Sequence, residues 1–586
     1  MLRLRTKHLL LAGAVAVLAI PAIAQVANSV PPSNTASPAT ASGSTAAQPA
    51  DNGGDAQTEV VSGSDASAIE QQQQQQQAAP AVEYPAFARR DPFTAGALDP
   101  IRIGLGSNAW GDANGGFLSS LLRRMDTPLA SRWLHIALRD ALLAKAHAPG
   151  GVNPVDWAAE RAWLLLRMGE ADAARMVVDS VDTDKFTPKM VQVAVQTDLA
   201  TSDPAGLCPI ADEIQKVEST AYPLVQAMCS ALGGDQQTAG SQLDAARRHG
   251  AVGGIDLDLA QKVVGAAGES GRAATIEWDP VDSLTAWRYG LSTATAMNPP
   301  DRLINAASLQ LRAWYARAPM IPYSARLNAA RLATGLGVFS SQALVDFYSQ
   351  IYDATDPNDL GGSDAWQVRL AFAGRDNDTR LAAMRHLWGG GKDPLQAEAS
   401  RALLAGAAAR IDPDPKLAAD APELIASMLA GGLDRDAARW NSAVQRMDDK
   451  AADRCWAMLA LASPNSVDLG RLGGFIDRDD SPNKKRSQLL VAGLAALGRI
   501  DLATAARLNN RYGLHLERTS NWTAMIDAAA DRDQRATVLV LAGTGFQTGS
   551  WSGVPSAHLF HAVAALRKTG QDYTARMIAA EALART

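Results

Sequence analysis

Four short stretches carry residue types at spacings that could do chemistry. Gly104-Leu105-Gly106-Ser107-Asn108-Ala109 has the glycine spacing that lets a backbone approach a pyrophosphate, and Asp126 stands downstream where a ribose-binding carboxylate would be. That chemistry needs a preceding strand and a parallel sheet. The chain after it reads as helix, so a glycine-rich lead into the first helix is the simpler reading. Asp356-Pro357-Asn358-Asp359-Leu360-Gly361 opens like a calcium loop, but Leu360 and Gln367 occupy positions where oxygen donors belong. An interhelical turn is expected there. His558 and His561 share a helix face without a third ligand nearby. Gly549-Ser550-Trp551-Ser552-Gly553 has tryptophan where a serine nucleophile would sit. No catalytic, cofactor-binding or metal-ligating set is assigned, and no enzyme activity is expected.

The three cysteines carry a structural expectation instead. Cys208 opens a short helix over 207–216, and Cys229 lies near the end of the next, 222–232. An antiparallel hairpin brings those two ends together, which predicts a Cys208–Cys229 disulfide. Closing a loop of about 20 residues contributes on the order of 3 kcal/mol. Cys455 is then a buried thiol; the alternative is three buried thiols.

The compartment that permits oxidation is read from the N-terminus. Arg3, Arg5 and Lys7 precede an uncharged apolar run from Leu9 to Ile20, and Pro21-Ala22-Ile23-Ala24 ends in a small-x-small cleavage pattern. Residues 1–24 read as a signal peptide cut between Ala24 and Gln25. An uncleaved inner-membrane anchor needs about 20 apolar residues; Leu9 to Ala24 is shorter and contains Pro21. A periplasmic or secreted location follows. Loss of the three basic residues takes the net charge from −6 to −9. That balance offers no basic stripe for nucleic acid. No later run is apolar enough to insert in a membrane.

Residues 25–88 read as a disordered linker rich in Ala, Ser, Thr, Pro and Gln, with an uninterrupted tract from Gln71 to Gln77. Such a composition cannot bury enough apolar surface to offset its ordering entropy. Residues 89–115 are expected to be an extended lead-in.

From residue 116 to 586 the chain reads as helix after helix. Thr127-Pro128, Asn153-Pro154, Thr187-Pro188, Asp279-Pro280, Asp393-Pro394, Asp412-Pro413 and Ser481-Pro482 each pair a capping side chain with a proline suited to the first helical turn. Leu134, Leu138 and Leu142 share one helix face, with Arg132, Arg139 and Lys145 expected off it. Glycine followed five positions later by alanine recurs at Gly169/Ala174, Gly234/Ala239, Gly432/Ala437, Gly498/Ala503 and Gly570/Ala575. Glycine closes one helix in a left-handed turn, and the small alanine lets the next approach closely. The separations fall near multiples of a helix–turn–helix repeat. The tryptophans, Trp133, Trp157, Trp287 and Trp314 among them, are expected to be interhelical core. The fold expected is all-α, an α-solenoid of stacked helical hairpins.

The spacing resembles that of tetratricopeptide-like repeat proteins, and Asp156 to Val181 resembles uncharacterised secreted helical proteins of Gram-negative bacteria. Soluble lytic transglycosylases pair a helical superhelix with a catalytic domain whose signature includes a Glu-Ser dipeptide. Glu269-Ser270 is similar to it, but Gly271-Arg272-Ala273 follows and the family's glycine-leucine-methionine-glutamine block is missing. Two functions are therefore weighed. The first is a non-enzymatic scaffold or adaptor that binds another envelope protein. The second is a protein that binds or acts on peptidoglycan or another glycan.

Overall fold

Short polar side chains start helices where their oxygens reach free backbone amides. In the computed structural model, which describes residues 85–250, 253–268, 275–390 and 393–586, Asn153 Oδ1 accepts from the amides of Val155 and Asp156 at 2.9 and 3.3 Å. Pro154 sits at the first position of the helix Pro154–Met168. Thr187 caps Pro188–Ala200 and Asp393 caps Pro394–Ala408 in the same way. The signal segment with Ala24 and Gln25, most of 25–88, and Glu269-Ser270 lie outside the described residues.

Other expected starts move by a few residues. Thr127-Pro128 is a cis peptide in a turn, and the next helix, Arg132–Leu143, is capped by Ser131. Asp279-Pro280 also lies in a turn, and Thr285 caps the following helix, Ala286–Ala294. Asp414, not Asp412, caps the short 3₁₀ turn Pro415–Leu417. Ser481-Pro482 opens a 3₁₀ turn before the helix Lys485–Ala496. Each stretch offers more than one capping side chain, and packing selects among them.

The described residues form 28 α-helices and no strand; an isolated bridge pairs Leu98 with Ala144. The five glycines of the glycine–alanine pattern all have positive φ, between 65° and 94°. Gly169 shows why: its amide closes the end of Pro154–Met168, and a Cβ there would lie 2.7 Å from the Ala313 Cβ. Ala174, Ala239, Ala437 and Ala575 are buried. Ala503 is exposed; Ala505 is the buried residue of its helix.

One hydrophobic core runs through the helices from Ala95 to Leu583. Trp110, Trp157, Trp287, Trp440 and Trp551 are fully buried in it. Trp110 meets Trp157 edge-on at 4.9 Å between centroids. Indole N–H groups pin neighbouring carbonyls: Trp287 donates to Asp256 O at 3.1 Å and Trp314 to Leu166 O at 3.2 Å.

Buried arginines provide a second kind of joint. The last carbonyls of a helix have no partner within it. Arg161 donates to Leu142 O and Ala144 O at 3.0 Å and to Ala95 O at 2.7 Å, closing the end of Arg132–Leu143. Burial holds its guanidinium down at about 10. Arg326 does the same for Ala316 O, and Arg499 for Ala460 O and Ser463 O. Arg132, expected off the apolar face, is only 3% exposed. Its guanidinium reaches Thr334 O and Ala430 O, each at 2.8 Å, in the final turns of Tyr323–Leu336 and Ala421–Ala430.

The beginning and end of this unit interlock. The helix Arg132–Leu143 packs on Pro154–Met168 and Ala171–Val178, and also on Arg535–Gly545 and Asp572–Ala584. Glu581 caps it from the last helix. Its carboxylate accepts from Ser131 Oγ at 2.5 Å, Arg132 N at 2.8 Å and Trp133 N at 3.2 Å. Arg585 then bridges Glu581, at 2.5 Å, and Ala130 O, at 3.0 Å. Residues 95–113 are turns rather than a free strand. Ala109 O accepts from Ala536 N at 2.9 Å, and Trp110 O from Thr537 Oγ1 at 3.2 Å.

Candidate functional site

A cavity of about 830 Å³ opens beside this interlock. Five stretches of chain line it: the helices Pro394–Ala408 and Asp449–Ala462, the helix Leu472–Arg478 with the Asp479-Asp480 turn that follows it, the helix Lys485–Ala496, and the last turn of Asp572–Ala584 with Arg585 and Thr586. Ala397, Ala457, Phe475 and Leu583 give it an apolar floor. Arg401, Arg454, Arg478, Arg486 and Arg585 stand in its wall with Asp453, Asp479 and Asp480.

The charges are tied into pairs. Arg401, 13% exposed, holds Glu423 through two hydrogen bonds of 2.9 and 3.2 Å and donates to Ala584 O at 3.1 Å. Burial works against its charge, and Glu398 and Glu423 outweigh burial, leaving its guanidinium above its usual value. For Glu423, burial pushes upward, but Arg401 and Arg454 hold its carboxyl below the usual range. Arg478 grips Asp453 with two bonds of 2.8 Å. Asp479 accepts from the amides and hydroxyls of Ser481 and Ser487 at 2.5 to 2.9 Å. Those four donors overcome its partial burial and lower its carboxyl. Arg454 donates to Glu423 at 2.9 Å and Arg486 to Asp480 at 3.2 Å.

A second, smaller cavity of about 210 Å³ is lined by Glu170, Asp172, Arg317 and the Gly169 turn. Glu170 is engaged by His135 Nε2 at 3.0 Å, both side chains being buried. Arg317 is paired with Asp172 at 2.6 Å.

The structure disperses the residues with suggestive spacing. Gly104 to Ala109 lie in turns with no strand before them, and Gly104 O accepts from Arg535 at 2.8 Å. The amide of Asp126 is bound by Gln547. Asp356 Oδ1 closes its own turn onto Asn358 N at 2.8 Å, and Leu360 is buried. His558 reaches Gly545 O at 3.1 Å, whereas His561 reaches Asp527 at 2.9 Å. Trp551 is buried against Phe546. Among the described residues no group of three His, Cys, Asp or Glu is placed to hold a metal ion.

Cys208 and Cys229 are bonded, with Cα atoms 5.4 Å apart. Cys208 sits in the 3₁₀ stretch Pro204–Ile210, ahead of the helix Ala211–Val217, and Cys229 in Tyr222–Leu232. Cys455 is buried, and burial pushes its thiol up to about 12.

Reading the residues one stretch at a time missed the arginine-walled cavity. Its members come from positions 394 to 586 and share no motif; a local hint was the density of Arg and Asp between 471 and 486. No known protein family, curated protein or solved structure matches this chain.

Proposed function

We propose that this chain is a non-enzymatic helical-repeat scaffold of the cell envelope, exported by its N-terminal signal and binding another protein through its exposed helical surface. The observation that carries the reading is that the carboxylates lining the large cavity are each engaged, Asp453 by Arg478, Asp479 by Ser481 and Ser487, and Asp480 by Arg486. A general acid for glycan cleavage needs a carboxyl raised toward neutral pH. Asp479 is instead held low by its serine partners, and Glu423, outside the lining but bonded to the lining residues Arg401 and Arg454, is held low by those two guanidinium groups. Glu218, whose carboxyl burial does raise, lines neither cavity. Carboxylates locked to guanidinium groups shape a charged binding surface and hold it rigid. The glycine-turned hairpins, each with a buried alanine or its neighbour in the next helix, support a stacked arrangement that presents such a surface continuously.

A second reading, peptidoglycan binding, is favoured by one feature: Phe475 stands beside Asp453 and the arginines in a single cavity. Affinity capture of the tagged protein from crosslinked envelopes, run beside co-sedimentation with purified murein, separates the two. One stoichiometric protein partner supports the scaffold. Retention on murein alone replaces it with the second reading. N-terminal sequencing of the exported protein tests the address; a chain beginning at Gln25 is expected.

A further inference from the structure

We infer that the arginine-walled cavity is a binding site for a short acidic peptide segment, its carboxylates seated on Arg454 and Arg486. The inference rests on the scaffold reading and names the chemistry of what that scaffold grips.

Three of the five arginines are already committed. Arg401 is spent on Glu423 and Ala584 O, and Arg585 on Glu581 and Ala130 O. Arg478 is bound at both Nε and Nη2 by Asp453. Arg454 and Arg486 use fewer of their donors. Their side chains are 46% and 41% exposed, much as that of Arg478 is at 44%, but each donates one side-chain hydrogen bond to the described residues. A guanidinium carries five N–H donors in a planar fork, so each keeps donors enough to take a carboxylate through two parallel bonds. The partner of Arg486, Asp480, is 86% exposed, so an incoming carboxylate displaces a solvated, weakly held ion pair.

Size and floor choose the ligand class. A volume of about 830 Å³ is far larger than a free phosphate or sulfate needs and lies in the range of sites that enclose an extended organic ligand. Ala397, Ala457, Phe475 and Leu583 offer apolar contact between the charged walls. A strand-like segment alternating acidic and aliphatic residues meets both surfaces, because successive side chains of an extended peptide point to opposite sides. The unused guanidinium donors of Arg454 and Arg486 can meet only hydrogen-bond acceptors, which favours an acidic segment over a basic one.

The test uses the full exported chain and a fluorescein-labelled octapeptide of alternating glutamate and leucine, read by anisotropy. Saturable binding in the micromolar range that weakens with salt is expected, and the glutamine–leucine counterpart should not bind. Arg454→Gln and Arg486→Gln should each weaken binding about tenfold, the effect of losing one charge-assisted pair. Arg375→Gln, at an arginine that is 91% exposed and outside the cavity lining, should leave it unchanged. Arg486→Gln removes a largely solvated pair, so the variant is expected to fold, and its urea midpoint checks that. Equal binding of the glutamine peptide overturns the inference, as does indifference to both substitutions. Displacement by inorganic phosphate at matched ionic strength overturns it in favour of a small-anion site. Murein retention lost in Arg454→Gln, without octapeptide binding, overturns it in favour of a wall-peptide site. A double variant that still captures its envelope partner overturns this inference and leaves the scaffold reading standing.

Discussion

Replacing Glu581 by glutamine should unfold the joint between the two ends of the helical unit. The side chain is 3% exposed and accepts four hydrogen bonds, from Ser131 Oγ, Arg132 N, Trp133 N and Arg585 Nη1. Glutamine keeps the shape but exchanges one acceptor oxygen for a donor amide, which then faces N–H groups. It also deletes the negative charge. Burial already lowers the Arg132 guanidinium, opposed by Glu398 and Glu581. For Arg585, burial is outweighed by the same two carboxylates. Without Glu581 both cations depend on Glu398 alone. Breaking a buried pair by removing one partner costs about 3–5 kcal/mol, a large share of the ~5–15 kcal/mol that usually separates folded from unfolded chains. Urea unfolding followed by circular dichroism measures the loss, and amide exchange at Arg132 and Trp133 locates it. Glu213→Gln is the control, because the Glu213–Lys216 pair is exposed and worth ~0–1 kcal/mol. The reasoning fails if Glu581→Gln shifts the midpoint no more than Glu213→Gln does. It fails equally if exchange at Arg132 and Trp133 is unchanged.

Replacing Cys208 and Cys229 together by serine should cost on the order of 3 kcal/mol, because the bond closes a loop of 21 residues in the unfolded chain; unfolding with and without reductant measures it, and no difference refutes it. Gly169→Ala should destabilise more than Gly570→Ala. Both pay about 1–2 kcal/mol for a side chain at positive φ, but only at Gly169 does the new Cβ meet a neighbour, Ala313 at 2.7 Å, and equal melting shifts would show that the helices do not approach so closely there. Asp479 titrates below its ordinary value in the folded chain, so its contribution is present above about pH 3.9 and lost as pH falls through the lower folded value. Asp479→Asn should therefore flatten the acid side of the stability curve, and urea midpoints that keep the parent slope between about pH 6 and pH 3 would contradict this.

Much of the helical structure could be read without coordinates because its causes are local. Asn153, Thr187 and Asp393 cap helices through amides two or three residues away, and the five turn glycines adopt the left-handed backbone that only glycine holds without strain. Where two capping side chains lie within a few residues, as at Thr127 and Ser131 or Asp412 and Asp414, local chemistry is degenerate and packing breaks the tie. The residues with suggestive spacing are dispersed in space: the glycines at 104 and 106 have no strand before them, and the two helix-face histidines contact separate partners.

Tertiary structure decided how the helices are joined and where charge is concentrated. Ser131 and Glu581 are 450 positions apart, and nothing near either residue signals the other. Arg132, Arg161 and Arg401 look like ordinary solvent-facing helix residues in the chain. Arg132 and Arg161 are buried, and Arg401 is largely covered, because the carbonyls or carboxylates they satisfy are carried by other helices, and a cation enters a core only where such partners are already assembled. The arginine-walled cavity follows from the same fact. Its side chains gather only once five separate stretches pack together, so sequence alone determined the elements and their ends, whereas the long-range matching of donors to acceptors determined the site.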